Sequence, residues 1–447
     1  MLAGTAASAL AAGGIYELVD QLGGDTPARA VPLDRPGEQH LLDSVPVVVD
    51  NKVEVVVPPR HHQLVTANIR AGDVRSARSQ LVDVLEQLDR KYDATPAGLG
   101  VTVAYGLPYF ERRVPEAWRA HAPFDRRARK AALLPAVRFP SDPHDTILED
   151  NEVAILLRSD SRDHITDAAQ TLFGGSGLFH VTSIRRGFVG GGLPKKMSMA
   201  AGVPGADLVP ESAQLFLGFT STQKAALGPR FIANHETLGY VDLGPKHYFR
   251  EGTSMHVSHL FEDLEAWYLN FDFGERVDTA FQPGRPNVRE GTLTVPQPAA
   301  RVDSSRDVER DFRRQGRIGH SSSIQASSRL QHDFVAHDGT VYKKGTAIPH
   351  RADFNTLDNP FVWSARPKVD GLETGPRAGL HFVVFNPSSD DFHRNRMAMD
   401  GVLPDGTRLP LEARARQQGF NSILRTTHRQ NFLVPPRRHR AFPLAEL

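Results

Sequence analysis

"EVAILLRSDSRDHITDAAQTLFG", residues 152–174, decides the fold. Its first half is a run of apolar, partly β-branched residues, and its second half reads as a helix behind a polar pair, Asp160 and Ser161, either of which suits a helix N-cap. This is a strand running straight into a helix. The same grammar lies upstream, where "HHQLVTANIRAG" (61–72) alternates like a strand and "DVRSARSQLVDVLEQLDRKY" (73–92) carries Val74, Ala77, Leu81, Val84, Leu85 and Leu88 on one helical stripe. It returns downstream in "GTSMHVSHLFEDLEAWYL" (252–269) and in "RAGLHFVVFNPSSDDFHRNRMAMDGVL" (377–403). Two α+β halves follow. "VPVVVDNKVEVVVPP" (45–59) is β-branched and closed by two prolines, an extended strand or arm, and residues 275–325 read as a long, charged, irregular stretch.

A chain of 447 residues supports two packed domains. The boundaries expected are 1–30 for an export signal, 31–60 for an extended arm, 61–205 for the first domain and 206–447 for the second. Lys plus Arg (53) and Asp plus Glu (52) nearly cancel, which argues against a chain built to neutralise nucleic-acid phosphates. Zero cysteines exclude disulfides, thiolate metal sites, thioether-linked haem and cysteine nucleophiles. The opening "MLAGTAASALAAGGIYELV" is too short and too weakly apolar for a membrane span. It suits an export signal cleaved near Ala28-Arg29-Ala30, although no Lys or Arg precedes Arg29, and on that reading a basic start is expected upstream of Met1. An alanine-rich helix is the plain alternative.

Several motifs carry little. "RRGFVGGGLPKK" (185–196) lacks the spacing of a phosphate loop and reads as a turn after a strand. In an extended "MHVSHL" (255–260), His256 and His259 point to opposite faces and read as structural. His61, His62 and the "RRHR" at 437–440 read as solvated polar patches, and no zincin or nucleophile-elbow motif occurs.

Taken in order, "LGVTVAYGLPYFERR" (99–113), "FPSDPHDTILEDNEVAILLRSDSRDHITDAAQTL" (139–172), "SIRRGF" (183–188), "LFLGFTST" (215–222), "YFREGTSMHVSHLFEDLEAW" (248–267), "AGLHFVVFNPSSDDF" (378–392) and "THRQNFLVPPRRHRAF" (427–442) resemble the successive segments of dye-decolorizing (DyP-type) haem peroxidases. The resemblance implies an α+β fold of two ferredoxin-like domains of the dimeric α/β barrel type, with antiparallel sheets flanked by helices. It further implies non-covalent haem b in the second domain, with peroxide and a small-molecule reductant as substrates. No nucleic acid, no integral membrane span and a homo-oligomer complete the expected partners.

The same resemblance places His350 in "IPHRADF" at the family's proximal histidine, so His350 is the expected iron ligand, with Asp390 or Asp391 as acceptor for its second nitrogen. His320 in "RIGHSSS" is the competing ligand. Arg351, Phe382 and Trp363 are expected around the cofactor, and Trp267 or Trp363 as surface aromatics for electron delivery. The distal side departs from the pattern. Ser221 stands where the family has its aspartate, and a hydroxyl is a poor base near neutral pH. Trp363 or Ser364 takes the place of the distal arginine, leaving Arg366 as the nearby substitute. A haem-binding or haem-carrying protein without turnover is therefore the alternative to an oxidoreductase.

Overall fold

The computed structural model describes residues 14–23, 29–31, 38–40, 42–50, 53–219, 231–232, 246–284, 304–357, 376–413 and 415–447. Helix α1 (Gly14–Leu22) falls inside the segment expected to be an export signal, yet Ile15, Tyr16, Leu18 and Val19 are buried in the main core. Strands Arg29–Val31, Val45–Asp50, Val53–Val56 and Phe231–Ile232 form a small four-stranded sheet in that order. The segment expected to be a strand or an extended arm thus forms paired strands.

The first half contributes β1 (His61–Ile69), α2 (Val74–Lys91), β2 (Gly100–Gly106), β3 (Val153–Ser159), α3 (Arg162–Ala169) and β4 (Phe179–Phe188). Asp73 caps α2 by accepting from the backbone N–H groups of Arg75 and Ser76, and Ser161 rather than Asp160 caps α3. Val74, Ala77, Leu81, Leu85 and Leu88 are buried at the spacing expected for α2, packed with Val65-side residues such as Ala67, Val103 and Ile155 in one apolar cluster. Each fully buried Leu or Val there contributes about 1.5–3 kcal/mol relative to exposure.

The second half contributes β5 (Thr253–Glu262), α4 (Leu264–Leu269), α5 (Phe273–Ala280), α6 (Ser305–Gln315), α7 (His320–Ser328), the short strand His350–Arg351, β6 (Phe354–Thr356), β7 (Gly379–Asn386), α8 (Ser389–Met399) and β8 (Leu424–Val434). Residues 275–325 are therefore not irregular where described. Reciprocal capping boxes, Asp272 with Glu275 and Ser304 with Asp307, start α5 and α6 despite their charge, because each satisfies backbone donors that water would otherwise take.

Eight strands of the main sheet follow one another as β5, β7, β6, β4, β1, β3, β2 and β8, and β8 pairs back to β5, closing the sheet. Every one of these pairings is antiparallel. The α+β expectation with antiparallel sheets flanked by helices holds. Closure removes the exposed strand edges that an open sheet would present. Cross-strand partners share a face, so register fixes the lining: Leu64, Ala104, Ala154, Leu156, Met255, Val257, Phe354, Val383, Phe385 and Phe432 form one inward cluster.

The barrel also encloses polar groups. Arg185 on β4 is fully buried and holds both carboxylate oxygens of Glu149, at 2.5 and 2.6 Å. His259 pairs across strands with His381 and His428, and burial together with the charge of Arg185 keeps all three imidazoles neutral. His61 and His62, expected as a solvated patch, are fully buried instead. His61 Nε2 reaches Asp20 on α1 at 2.8 Å, while the ring of His62 lies stacked 4.9 Å from Phe354 inside the barrel.

Candidate functional site

β5 confirms the extended reading of 255–260: His256 lies on the outer face and His259 inside. The same alternation separates the expected cofactor residues. His350 pairs with Phe385, with ring centroids 5.5 Å apart, so its imidazole faces the filled barrel interior. Arg351 pairs with Val384 and faces outward, as does Phe382, whose ring lies 5.9 Å from Phe392 on α8. Successive residues of a strand point to opposite faces. His350 therefore lies on the opposite face of the sheet from Arg351 and Phe382. The sheet thus divides the residues expected around the cofactor between its two faces.

Asp390 and Asp391 are also engaged elsewhere. Asp390 binds Lys130 at 2.6 Å and Arg394 at 3.0 Å. Asp391 binds Arg127 at 2.5 Å and Arg394 at 2.7 Å, and accepts from the Ser388 backbone N–H as part of the α8 capping box. Trp267 is fully buried and donates its Nε1–H to the Leu217 carbonyl, so it is not a surface aromatic. Ser221, Trp363 and Arg366 lie outside the described residues.

The outer, helix-covered side of the second half does hold an imidazole. His320 is the first residue of α7, and Gly319 before it leaves no room for a side chain, because an added Cβ would meet the Phe281 carbonyl oxygen at 2.4 Å. The His320 ring lies 4.8 Å from Phe420. Its Nδ1 is buried and has no hydrogen-bond partner among the described residues. Burial, then the charges of Arg351 and Arg396, push the imidazole down to about 3, so it is neutral and keeps a lone pair at physiological pH.

Arg351 ties this imidazole to a carboxyl pair. Its Nε lies 3.8 Å from Asp353 Oδ1, and the Asp353 charge acts in turn on Glu262, at the end of β5. Burial, reinforced by Asp353, pushes the Glu262 carboxyl up to about 8. Glu262 Oε2 is buried with no partner among the described residues. Near pH 7 the group is a protonated acid able to give up and regain a proton. A neutral imidazole, a guanidinium and a protonated carboxyl can together ligate iron, hold an anionic group and move a proton. Asp353 was open to sequence reasoning, since it stands two residues from Arg351 and so on its side of an extended segment. Glu262 gave no local signal.

The sequence profile of a family of unknown function, DUF7405, matches residues 59–436. No curated protein matches the chain. Among solved structures, two variants of DypB from Rhodococcus jostii RHA1 in complex with heme align with TM-scores of 0.52 and 0.51, each at 12% identity over 87% of this chain and 96% of theirs. A DypB variant in complex with manganese aligns with a TM-score of 0.51, 12% identity and the same coverage. At that identity the likeness establishes the fold, which is that of the DyP-type structures.

Proposed function

The chain belongs to the DUF7405 family, and from that premise we propose that it binds haem b on the helix-covered side of its second half and works there as a peroxidase-like oxidoreductase. The observation that carries this reading is His320: a neutral imidazole whose buried Nδ1 has no hydrogen-bond partner among the described residues and which feels the charge of Arg351. His320 would hold the iron, and Arg351 would face the acidic edge of the ligand. His350, the ligand expected from the sequence, stands on the opposite face of its strand from Arg351 and is the alternative. Haem bound here would supply one-electron chemistry toward peroxide.

The chain's own residues supply the proton handling. Glu262 holds a proton at neutral pH that a solvent-exposed carboxyl would have lost, because burial and the nearby charge of Asp353, itself 3.8 Å from Arg351, disfavour its ionised form. This pair offers the acid–base function that Ser221 cannot. The test is oxidation of a phenolic dye by the haem-loaded chain and peroxide, followed across pH. Glu262→Gln should lower turnover about 10²–10⁴-fold, the usual worth of general acid–base catalysis, while haem uptake stays intact. Equal turnover in the variant would remove Glu262 from the chemistry, and no turnover in either protein would favour the haem-carrying alternative.

A further inference from the structure

A cavity of about 210 Å³ lies between the 130–139 segment of the first half, the outer face of β5 and β8, and helix α8. Its walls are mostly apolar, with Leu134, Val137, Phe139 and Phe392 among them. The polar groups at its floor are nearly all committed. His256 uses both ring nitrogens, toward Asn431 Oδ1 and Ser258 Oγ, each at 2.6 Å, and Asn431 donates its amide to the Leu134 carbonyl at 2.9 Å. At the mouth, Lys130 is bound to Asp390.

Arg429 is the exception. Its side chain is 1% exposed, and its guanidinium sits 4.7 Å over the Phe139 ring. Nη2 donates to Asp142 Oδ1 at 2.7 Å, and that same oxygen also faces Arg396 Nη2 at 3.4 Å, so one carboxylate is divided between two cations. Nε and Nη1 of Arg429 are buried with no partner among the described residues. Leaving donors of a buried cation unused is costly, far more so than for an exposed one. A ligand with an anionic acceptor would remove that cost.

We infer that this cavity is a binding site for a small monocarboxylate with a compact apolar body, whose carboxylate meets Arg429 while its body lies against the Phe139 and Phe392 walls. The size agrees. An apolar protein cavity of about 150 Å³ accommodates benzene, and the extra volume here suits a carboxylate on a ring of that size. An ionised acceptor is favoured over a neutral one because a charge-assisted hydrogen bond to guanidinium is about twice as strong as a neutral one. The inference stands apart from haem binding, since neither His320 nor Arg351 lines this cavity.

The test is calorimetric titration of the full chain with benzoate, with benzyl alcohol as a neutral ligand of the same body, repeated on two variants. Arg429→Gln should weaken benzoate about tenfold to a hundredfold, with thermal melting to verify its fold. Ala136→Trp, which fills the cavity from its partly exposed wall and leaves the Arg429–Asp142 pair untouched, should abolish binding with no loss of fold. Benzoate binding at millimolar concentration that is at least tenfold tighter than benzyl alcohol and lost in Ala136→Trp supports the inference. No benzoate binding, equal affinity for the two probes, or benzoate binding that survives Ala136→Trp would overturn it.

Discussion

His350 and Arg351 are adjacent in the chain and lie on opposite sides of the barrel wall: the imidazole packs against Phe385 inside, and the guanidinium approaches Asp353 outside. The relationship separates the two residues that the sequence motif had grouped. It leaves Arg351, and not His350, on the outer side where the haem site is proposed.

Glu149 and Arg185 should be strongly coupled. Arg185 is fully buried, and neutral imidazoles surround it. Glu149→Gln leaves a buried cation without its carboxylate, and urea unfolding should show a loss of about 3–5 kcal/mol. Glu149→Gln combined with Arg185→Met should recover much of it.

Gly187 should tolerate no side chain. An added Cβ would meet the Asn355 carbonyl oxygen at 2.2 Å and the Phe354 ring at 2.4 Å, the same ring that lies stacked on His62. Overpacking of this kind costs about 1–3 kcal/mol. Gly187→Ala should lower the midpoint of thermal unfolding, and Gly187→Ala with Phe354→Leu should regain part of the loss.

Stability should peak between two titrations. The folded-state pKa values of His62, His259, His381 and His428 are all lowered by burial, so below about pH 6.5 the unfolded chain binds protons that the native chain refuses. Stability then falls as pH drops, by up to about 1.4 kcal/mol per pH unit for each imidazole. Glu262 acts on the other side. With its carboxyl raised to about 8, the native chain holds a proton that the unfolded chain has released above about pH 4.5, so this contribution is lost as pH rises toward 8. Glu262→Gln should flatten the alkaline limb of a stability–pH curve and leave the acid limb in place.

The fold was legible where burial follows period. Helix α2 has its buried residues at the predicted spacing, and the opposite facing of His256 and His259 followed from strand alternation alone. The same alternation, applied to 350 and 351, would have separated the two residues in advance, but the motif's resemblance grouped them. Burial of His61 and His62 was not legible, because polar side chains enter a core only where distant partners await them, here Asp20 on α1 and Phe354 on β6. Closure of the sheet through β5 and β8 depends on residues about 170 apart and leaves no local trace. Glu262 is unreadable for a similar reason: its raised pKa comes from burial and from Asp353, both set by tertiary structure.

The most direct test of the account is the absorption spectrum of the purified chain during titration with haem, compared with His320→Ala and His350→Ala. The account predicts a Soret band that saturates at one haem per chain in the wild type, persists in His350→Ala wherever that variant stays folded, and is lost or strongly shifted in His320→Ala. A band lost in a folded His350→Ala protein and unchanged in His320→Ala would contradict it and return the iron to the barrel wall's inner side.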